Sequence, residues 1–207
     1  LLKEGNFDPE LLDVFSQQLV EAGSLIIEKR SSMLTRLNLL SKLLQRRLTE
    51  LKESLSLKYE PSFPIEGDVK NAFHKALKEA FPEEKNKGYT LIGPHRDDFS
   101  MYIDDIDVRT YGSQGQQRTV VLALKLAELE FLKSESGEYP ILLLDDVFSE
   151  IDDIRRRKLF EIVRQNRVQT FISTANPKDL EDIVGEQKRV FEIKRGCAGV
   201  KHDATFG

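Results

Sequence analysis

An apolar run that ends in paired carboxylates, residues 141–152 (ILLLDDVFSEID), constrains the fold of this chain more than any other segment. Four apolar residues lead directly into Asp145 and Asp146. A short uncharged run of this kind is typical of a strand that is buried on both faces of a parallel sheet. Acidic residues at the carboxyl end of such a strand stand where α/β folds bind ligands. We therefore predict a ligand site at Asp145 and Asp146.

The same segment has the form of a Walker B motif, in which the first acid helps to hold Mg²⁺ and the second can position an attacking water. No phosphate loop of the form G-x-x-x-x-G-K-[ST] occurs in the 207 residues. The sequence therefore predicts one half of a nucleotide site. The chain begins with Leu1 rather than Met, and we expect it to be a fragment of a longer protein.

The charge distribution leaves nucleic-acid binding open. The net charge is −4, which gives no overall basic signal, but residues 28–58 carry eight Lys or Arg against three Glu. This segment either faces DNA or is an ordinary solvated helix face. The candidate DNA contacts within it are Arg36, Lys42, Arg46 and Arg47.

Composition also indicates the compartment. The single cysteine, Cys197, excludes an internal disulfide and a cysteine-based zinc site, and it suits a reducing compartment. No apolar run reaches the roughly 18 residues that a membrane helix requires, and there is no signal-peptide pattern. We therefore expect a cytoplasmic protein without membrane contact.

The patterns divide the chain into two predicted domains, a helical lobe at 1–88 and an α/β portion at 89–207. In the first, Asp8 followed by Pro9 is a good helix start. A seam with spacings of three and four favours a helical hairpin packed on its own domain over a long coiled coil. The seam comprises Leu34, Leu37, Ser41, Leu44, Leu48, Leu51 and Leu55. The prolines at 61 and 64 end this helix, and an amphipathic helix follows until Pro82 stops it.

The second predicted domain alternates strands and helices, which indicates α/β architecture. Residues 99–108 form a predicted β-hairpin that turns at Asp104 and Asp105. The later elements are predicted as helices at about 116–133, 153–164 and 177–183. The predicted strands are the apolar run that begins at Ile141 and the segments 168–173 and 189–194.

Residues 111–119, YGSQGQQRT, stand directly before the first of these helices. Serine and glycine at a helix N-terminus leave backbone N–H groups that can receive a phosphate, and the serine hydroxyl adds a donor. Glycine lets a ligand come close. Taken alone, the same residues are also what an ordinary N-cap requires, so the pattern leaves both interpretations open.

The order of the motifs makes the comparison specific. SQGQQRT precedes the Walker B-like strand by about one helix, as the signature motif precedes Walker B and the D-loop in ATP-binding-cassette (ABC) ATPases. With the upstream GPHRDDF at 93–99, these motifs resemble the RecF family of bacterial recombination and repair ATPases over nearly the whole chain. The resemblance implies an α/β, ABC-type ATPase head portion with a partly parallel sheet flanked by helices, and a helical second lobe.

The resemblance also implies roles for individual residues. The signature motif is matched by Ser113, Gln114, Gly115, Gln116 and Gln117. In such ATPases it contacts the γ-phosphate of ATP held by the opposite subunit, so that ATP joins a homodimer. Asp145 matches the Walker B acid that supports Mg²⁺, and Asp146 matches the catalytic acid. The D-loop, which packs across the dimer interface, is matched by Ser149, Glu150, Ile151 and Asp152, with Asp152 expected to contact nucleotide.

Two departures from the family pattern limit these roles. The phosphate loop of the family lies outside this chain, so we expect the fragment alone to bind ATP weakly or not at all, and hydrolysis to belong to the full-length protein. Thr174 or Ala175 takes the place of the switch histidine, so a histidine role cannot be transferred. Asp146 replaces the usual Glu and is one methylene shorter, and this reduced reach to a water suggests slow turnover suited to a timed switch rather than to a motor.

The remaining cluster is GPHRDD at 93–98. His95 and Arg96 can touch a phosphate, or the segment is structural, with a Gly-Pro turn and Arg96 paired with Asp97 or Asp98; we favour the structural role for His95. Neither His74 nor His202 has partners that indicate a metal site. Cys197 is expected in a loop.

At the level of function, the resemblance implies DNA binding near single-strand/double-strand junctions. It also implies partnership with RecR, and less directly RecO, in loading RecA at gaps. Two alternatives remain: a non-enzymatic interaction or dimerisation module, and another SMC-like ATPase head, which the short helical insert disfavours.

Overall fold

The long N-terminal helix organises the first half of the chain. A computed structural model describes residues 8–145, 151–175 and 189–201. Helix α1 (Pro9–Leu48) runs for 40 residues and begins as predicted, because the carboxylate of Asp8 accepts the N–H of Glu10 at 2.9 Å and proline follows it. Thr49 caps its end, where its N–H donates to the carbonyl of Gln45 at 2.9 Å.

The predicted continuation of this helix through Leu55 is wrong. Glu50 and Leu51 have φ angles of 54° and 67°, which an α-helix excludes, and the chain turns there. Leu55 instead opens strand β1 (Leu55–Glu60), whose alternating burial places Leu55 and Leu57 inside. The expected helical hairpin is therefore one long helix followed by a strand.

Helix α2 (Val69–Lys87) continues past the proline that was expected to stop it. Asp68 caps its start by accepting the N–H of Asn71 at 2.8 Å, and Gly88, with φ of 74°, caps its end. Beyond Pro82 the last turn is anchored by the buried carboxylate of Glu84, which accepts the N–H of Leu91 at 2.7 Å. The helix therefore continues through the proline with one backbone donor fewer, and Glu84 fixes its end to the following loop.

Helices α1 and α2 enclose the core of the N-terminal part. Phe63 and Phe73 stack with ring centroids 5.0 Å apart and an interplanar angle of 11°. Gly23 of α1 permits this approach, since a Cβ there would meet Cε1 of Phe73 at 2.6 Å. The cluster consists of Val20, Ile27, Phe63, Phe73 and Leu77. A glycine contact and two aromatic rings thus fix how the two helices meet.

The predicted β-hairpin is confirmed. Strands β2 (Asp98–Ile103) and β3 (Ile106–Asp107) are antiparallel, and β1 pairs antiparallel with the other side of β2, giving the order β1-β2-β3. The turn residues Asp104 and Asp105 have φ angles of 48° and 68°, which aspartate tolerates better than most residues.

Two helices follow this sheet. The short helix α3 (Val108–Tyr111) leads into α4 (Gln114–Ser136), which ends at Gly137 with φ of 83°. The C-terminal part of α4 packs on α1, where the guanidinium of Arg36 lies 4.7 Å from the ring centroid of Phe131 and 2.6 Å from the carboxylate of Glu135. Helix α4, whose start carries the serine-glycine motif, is thereby attached to the long helix at its C-terminal part.

The last part of the chain contains the predicted parallel pair. Strand β4 (Leu142–Asp145) lies parallel to β5 (Thr170–Ser173), with helix α5 (Asp153–Gln165) between them in sequence. Strands β6 (Val190–Lys194) and β7 (Cys197–Lys201) form an antiparallel hairpin. Mixed helices and sheets with a parallel pair confirm the α/β class.

Two further predictions concern Cys197 and the helix at 177–183. Cys197 opens strand β7 and is exposed, so its placement in a loop is wrong; the turn that precedes it uses Arg195 and Gly196, both with positive φ. The helix predicted at 177–183 lies outside the described residues.

The chain divides into two compact units, Leu1–Glu138 and Tyr139–Gly207. The boundary predicted between residues 88 and 89 would separate β1 from its partner β2, whereas both belong to the first unit. The first unit therefore includes the serine-glycine motif, and the second includes the Walker B-like strand.

Candidate nucleotide site

The serine-glycine motif begins α4 with a reciprocal cap. The hydroxyl oxygen of Ser113 accepts the N–H of Gln116 at 3.2 Å, and Oε1 of Gln116 accepts the N–H of Ser113 at 3.0 Å. This is a capping box, which satisfies donors that a helix start otherwise leaves open. The N-cap interpretation of the motif is therefore confirmed, and a binding role has to rest on other features.

The two glycines of the motif differ in what they require. A Cβ on Gly112 would lie 2.5 Å from the carbonyl oxygen of Val108, so the backbone itself demands glycine there. A Cβ on Gly115 would meet nothing within 4 Å, and its φ is not in the left-handed region. Packing does not explain Gly115. Open space beside the N-terminal N–H groups of a helix is what the close approach of an anion requires.

The five predicted signature residues separate into an exposed front and an anchored back. Ser113, Gln114 and Gly115 are exposed. Gln116 is half-buried and its Nε2 donates to Oε1 of Glu53 at 3.2 Å. Gln117 is also half-buried, and its Nε2 donates to the carbonyl of Val108 at 3.1 Å. The exposed front can meet a ligand, while the two glutamines hold the turn.

The predicted Mg²⁺ ligand Asp145 is the last residue of β4, opposite Ser173 at the end of β5. The hydroxyl of Ser173 donates to Oδ1 of Asp145. Both residues are exposed at the carboxyl ends of the parallel pair. An exposed carboxylate that is oriented by a hydroxyl fits Mg²⁺, which takes one or two protein carboxylates and completes its shell with water and phosphate oxygens.

Three residues of the predicted site, Asp146, Ser149 and Glu150, lie outside the described residues, and so does His202. Ser173 was not singled out from the sequence; its position at the end of the strand next to Asp145, one residue before Thr174, was the signal that could have found it. Within 8–145, 151–175 and 189–201, no group of three or more His, Cys, Asp or Glu could hold a metal ion.

Asp152, expected in the D-loop, is the N-cap of α5. Its Oδ1 accepts the N–H of Arg155 at 2.9 Å, and its Oδ2 contacts the Arg155 guanidinium. Burial alone would raise the pKa of Asp152, but the hydrogen bonds and the positive charge of Arg155 lower the pKa on balance. The neighbouring Ile151 is buried. Asp152 thus has a structural role in starting α5.

The Asp152→Ala variant should lower the free energy of unfolding of the second unit by about 1 kcal/mol at pH 7, because α5 loses its cap. Since the pKa of Asp152 is lowered in the folded protein, its ionic contribution is complete above the ordinary carboxyl pKa of about 4 and is lost as the pH falls through the lower folded value. Urea unfolding at pH 7 and pH 3 checks this, with Asp153→Asn as the control. The Asp152→Asn variant removes only the charge, so its loss in free energy of unfolding should be larger at pH 7 than at pH 3. An equal loss at both pH values would contradict the ionic contribution of Asp152.

The four candidate DNA contacts do not share one face of α1. Arg36 is turned toward α4, as its contacts with Phe131 and Glu135 show. Lys42 and Arg46 are exposed and stand four residues apart, which places them on one face of the helix. Arg47 is exposed as well. Arg36 therefore serves helix packing, and the other three stay candidate DNA contacts because they are exposed.

The GPHRDD segment is held by structural contacts. Asp97 accepts the N–H of Ser62 at 2.8 Å and the hydroxyl of Tyr59, and the carbonyl of Pro94 accepts the Arg30 guanidinium. Burial, and then the hydrogen bond and charge of Asp97, raise the pKa of Tyr59 strongly. These contacts join the segment to β1 and α1.

The exposed groups of this segment are also engaged. Nε2 of His95 lies 3.2 Å from the carbonyl oxygen of Thr90, and the guanidinium of Arg96 lies 5.2 Å from the ring centroid of Tyr89. The expected ion pair of Arg96 with Asp97 or Asp98 is not what the structure shows, because Tyr89 offers the guanidinium an aromatic face. The favoured structural role of His95 agrees with its contact.

A parallel strand pair with an acid at its carboxyl end, together with a helix that begins at SQGQQ, defines the chain as a portion of an ABC-type ATPase head. No protein-family model matches the chain. The DNA replication and repair protein RecF of Halothermothrix orenii is 47% identical over 206 residues, which is 95% of this chain and 55% of that protein. RecF of Alkaliphilus oremlandii is 45% identical over 190 residues, covering 89% and 52%.

Solved structures of RecF are similar to this chain as well. The structure of the recombination mediator protein RecF with ATPrS, in the RecFOR pathway, superposes with a TM-score of 0.81 and 33% identity, covering 96% of this chain and 53% of that one. The corresponding RecF–ATP structure gives a TM-score of 0.80. Over nearly its whole length, the chain is therefore similar to part of the RecF proteins. It spans about half the length of the curated relatives that it matches.

Among the described residues, no helix is both long enough and apolar enough to cross a membrane.

Proposed function

We propose that this chain supplies the signature motif, the Walker B acid and the D-loop of a RecF-family ATPase that acts in DNA replication and repair. The observation that carries the proposal is Gly115, which stands in open space at the exposed start of α4 and which packing does not require. The names of the relatives and the ATP or ATPrS in the solved RecF structures support it.

The start of α4 has the donors that a phosphate needs. The positive end of the helix dipole and the first backbone N–H groups face the exposed side of the motif. The hydroxyl oxygen of Ser113 accepts the N–H of Gln116, which leaves its O–H proton for an acceptor outside the helix. In the complete protein, these groups receive the γ-phosphate of ATP that the opposite subunit holds, and ATP thereby joins a homodimer.

The Mg²⁺ side of the site rests on Asp145. Its carboxylate would hold Mg²⁺, with Ser173 fixing the orientation of one oxygen. Bound Mg²⁺ neutralises charge that develops on the phosphate oxygens. We assign the catalytic acid to Asp146 and the cross-interface contact to the D-loop residues 149–152. Thr174 is at best a weak substitute for the switch histidine.

The phosphate loop would come from the part of the family sequence that this chain does not span. One face of the β4–β5 pair supports this, because Leu143 is 72% exposed and Phe171, its partner in register, is 52% exposed. Parallel strands are normally covered on both faces. Apolar residues at these positions therefore suit a further layer of the ATPase head.

The wider role extends to DNA and partner proteins. The RecFOR pathway named for the solved structures supports partnership with RecR and, indirectly, RecO. Loading of RecA at single-strand gaps in the cytoplasm belongs to the same proposal and follows from the family resemblance. Lys42, Arg46 and Arg47 are the proposed phosphate contacts on DNA junctions, since they are exposed near the end of α1.

In the complete RecF-family protein that carries this sequence, Ser113→Arg should weaken ATP-driven dimerisation at least tenfold, or about 1.4 kcal/mol. Bulk at the exposed start of α4 blocks approach of the opposite subunit's nucleotide. ATP binding by the monomer should change by less than about twofold, because the motif acts in trans. Sedimentation velocity and nucleotide titration measure the two quantities.

Two further variants sharpen this test. Ser113→Asp keeps a good N-cap but places a negative charge against the phosphate, so it should also block dimerisation. Ser32→Arg, on the exposed surface of α1, adds the same side chain away from the motif and should leave dimerisation unchanged. Loss of ATP binding by the Ser113→Asp monomer would contradict action in trans.

A further inference from the structure

Glu53 occupies a position that the sequence pattern did not mark. It follows the turn between α1 and β1, in which Glu50 and Leu51 have positive φ angles, and it is half-buried. Its Oε2 accepts Nε2 of Gln45 at 2.8 Å, and its Oε1 accepts Nε2 of Gln116 at 3.2 Å. One carboxylate therefore joins the end of α1 to the start of α4.

The carboxylate decides how both amides are oriented. An ionised carboxylate only accepts hydrogen bonds, so each glutamine must present its NH₂ group to Glu53. When Nε2 of Gln116 faces Glu53, its Oε1 is directed to the N–H of Ser113, which it accepts at 3.0 Å. The second half of the capping box thus depends on an acceptor that lies 63 residues away in the chain.

The other anchor is rigid. Gln45 is 0% exposed, and it lies on α1 within one turn of the helix end. Hydrogen bonds to an ionised group are stronger than neutral ones, and a buried amide that loses its acceptor is left without a partner. Glu53 is therefore held at a fixed place by α1, and it transmits that place to Gln116.

We propose that Glu53 is a positioning residue for the signature turn, residues 113–117. It acts through the amide of Gln116, which fixes the N–H of Ser113 and with it the hydroxyl and the first N–H groups of α4. Glu53 itself does not contact nucleotide. The importance of the turn for ATP-driven dimerisation rests on the proposed function, whereas the hold of Glu53 on the turn rests on the hydrogen bonds alone.

Hydrogen exchange of the Ser113 amide in the 207-residue chain tests the hold directly. Glu53→Gln has the same shape but replaces a charged acceptor with two oxygens by a single neutral oxygen, so the hydrogen bond from Gln116 weakens and exchange at Ser113 should become about tenfold faster. Glu50→Gln is the matched control, because it removes the same charge from the same turn at an exposed residue. It should change the exchange rate by less than about twofold.

A swap of donor and acceptor separates positioning from a general effect of charge. In Glu53→Gln with Gln116→Glu, the amide at 53 accepts from Gln45 and donates to the carboxylate at 116, which still accepts the Ser113 N–H. This double variant should restore the exchange rate to within about twofold of the unmodified chain. Unchanged exchange in Glu53→Gln, or failure of the swap to restore it, would overturn the proposal.

Dimerisation of the complete protein then distinguishes the two ideas. Glu53→Gln should weaken ATP-driven dimerisation several-fold relative to Glu50→Gln, with monomer ATP binding unchanged. If Ser113→Asp still dimerises normally, the proposed function is refuted. If Ser113→Asp fails to dimerise while Glu53→Gln equals Glu50→Gln, the positioning role is refuted and the proposed function stands.

Discussion

The Phe73→Ala variant is expected to have a free energy of unfolding about 3–5 kcal/mol lower than the unmodified chain. Phe73 is 0% exposed, stacks on Phe63, and fills the space that Gly23 leaves open on α1. Removing the ring leaves a cavity between α1 and α2 that the helices cannot close without moving. Urea unfolding followed by far-UV circular dichroism measures the loss, because three long helices of the first unit dominate that signal.

The same substitution at an exposed site provides the control. Phe15, on the outer surface of α1, is 50% exposed, and Phe15→Ala should change stability by no more than about 0.5 kcal/mol. Phe73→Leu, which retains most of the volume, should lie between the two. If Phe73→Ala and Phe15→Ala unfold at the same urea concentration, the cluster around Phe73 does not hold the helices together.

On the proposed function, Asp145→Asn in the complete protein is expected to lower the rate of ATP hydrolysis about 100-fold or more, since the amide is a much weaker ligand for Mg²⁺ than the carboxylate. The substitution keeps the shape of the side chain and an oxygen that can still accept the Ser173 hydroxyl. The Mg²⁺ concentration for half-maximal activity should rise in parallel. Steady-state hydrolysis at several Mg²⁺ concentrations measures both quantities.

Asp105→Asn is the matched control for this variant. It makes the same chemical change in the turn between β2 and β3, where φ is positive and asparagine is well tolerated. It should leave the hydrolysis rate within about twofold. Retention of more than half of the rate by Asp145→Asn would mean that Asp145 only pairs with Ser173 and does not serve the metal.

The sequence predicted those elements whose signals are local. The cap of α4 followed from serine before a strongly helical stretch, and the start of α1 followed from Asp8 and proline. The strand at Leu142 followed from an uncharged apolar run that ends in acids. In each case residues close together in the chain carry the physical cause.

Two helix ends were predicted wrongly from the sequence. Leucines at spacings of three and four continued past Leu48, so Leu51 and Leu55 were assigned to the helix. The alternation of Leu55 with Leu57 competed with that pattern, and the positive φ angles at Glu50 and Leu51 decided in favour of a turn and a strand. Pro82 was likewise judged without the buried carboxylate of Glu84, which stabilises the turn beyond it.

The candidate site shows what a single sequence leaves out. Motif order predicts the signature residues and Asp145 as site residues, and these assignments stay predictions. Ser173 and Glu53 were not identifiable from the sequence, because each acts through a partner 28 or 63 residues away that only the folded chain brings near. The same holds for Arg36, whose basic side chain suggested DNA until its contacts with Phe131 and Glu135 on α4 were known.

The uninterrupted length of α1 makes it a common support for the core and for the signature turn. Gly23 and Gln45 are separated along the helix axis by about 33 Å, at 1.5 Å per residue. Gly23 lies against the Phe73 ring, and Gln45 donates to Glu53 near the other end. Between these points, Arg36 and Asn38 hold the helix to Glu135 of α4 and to the N–H of Leu57. One continuous helix therefore sets both the packing of the aromatic core and the place of the acceptor that orients the cap of α4.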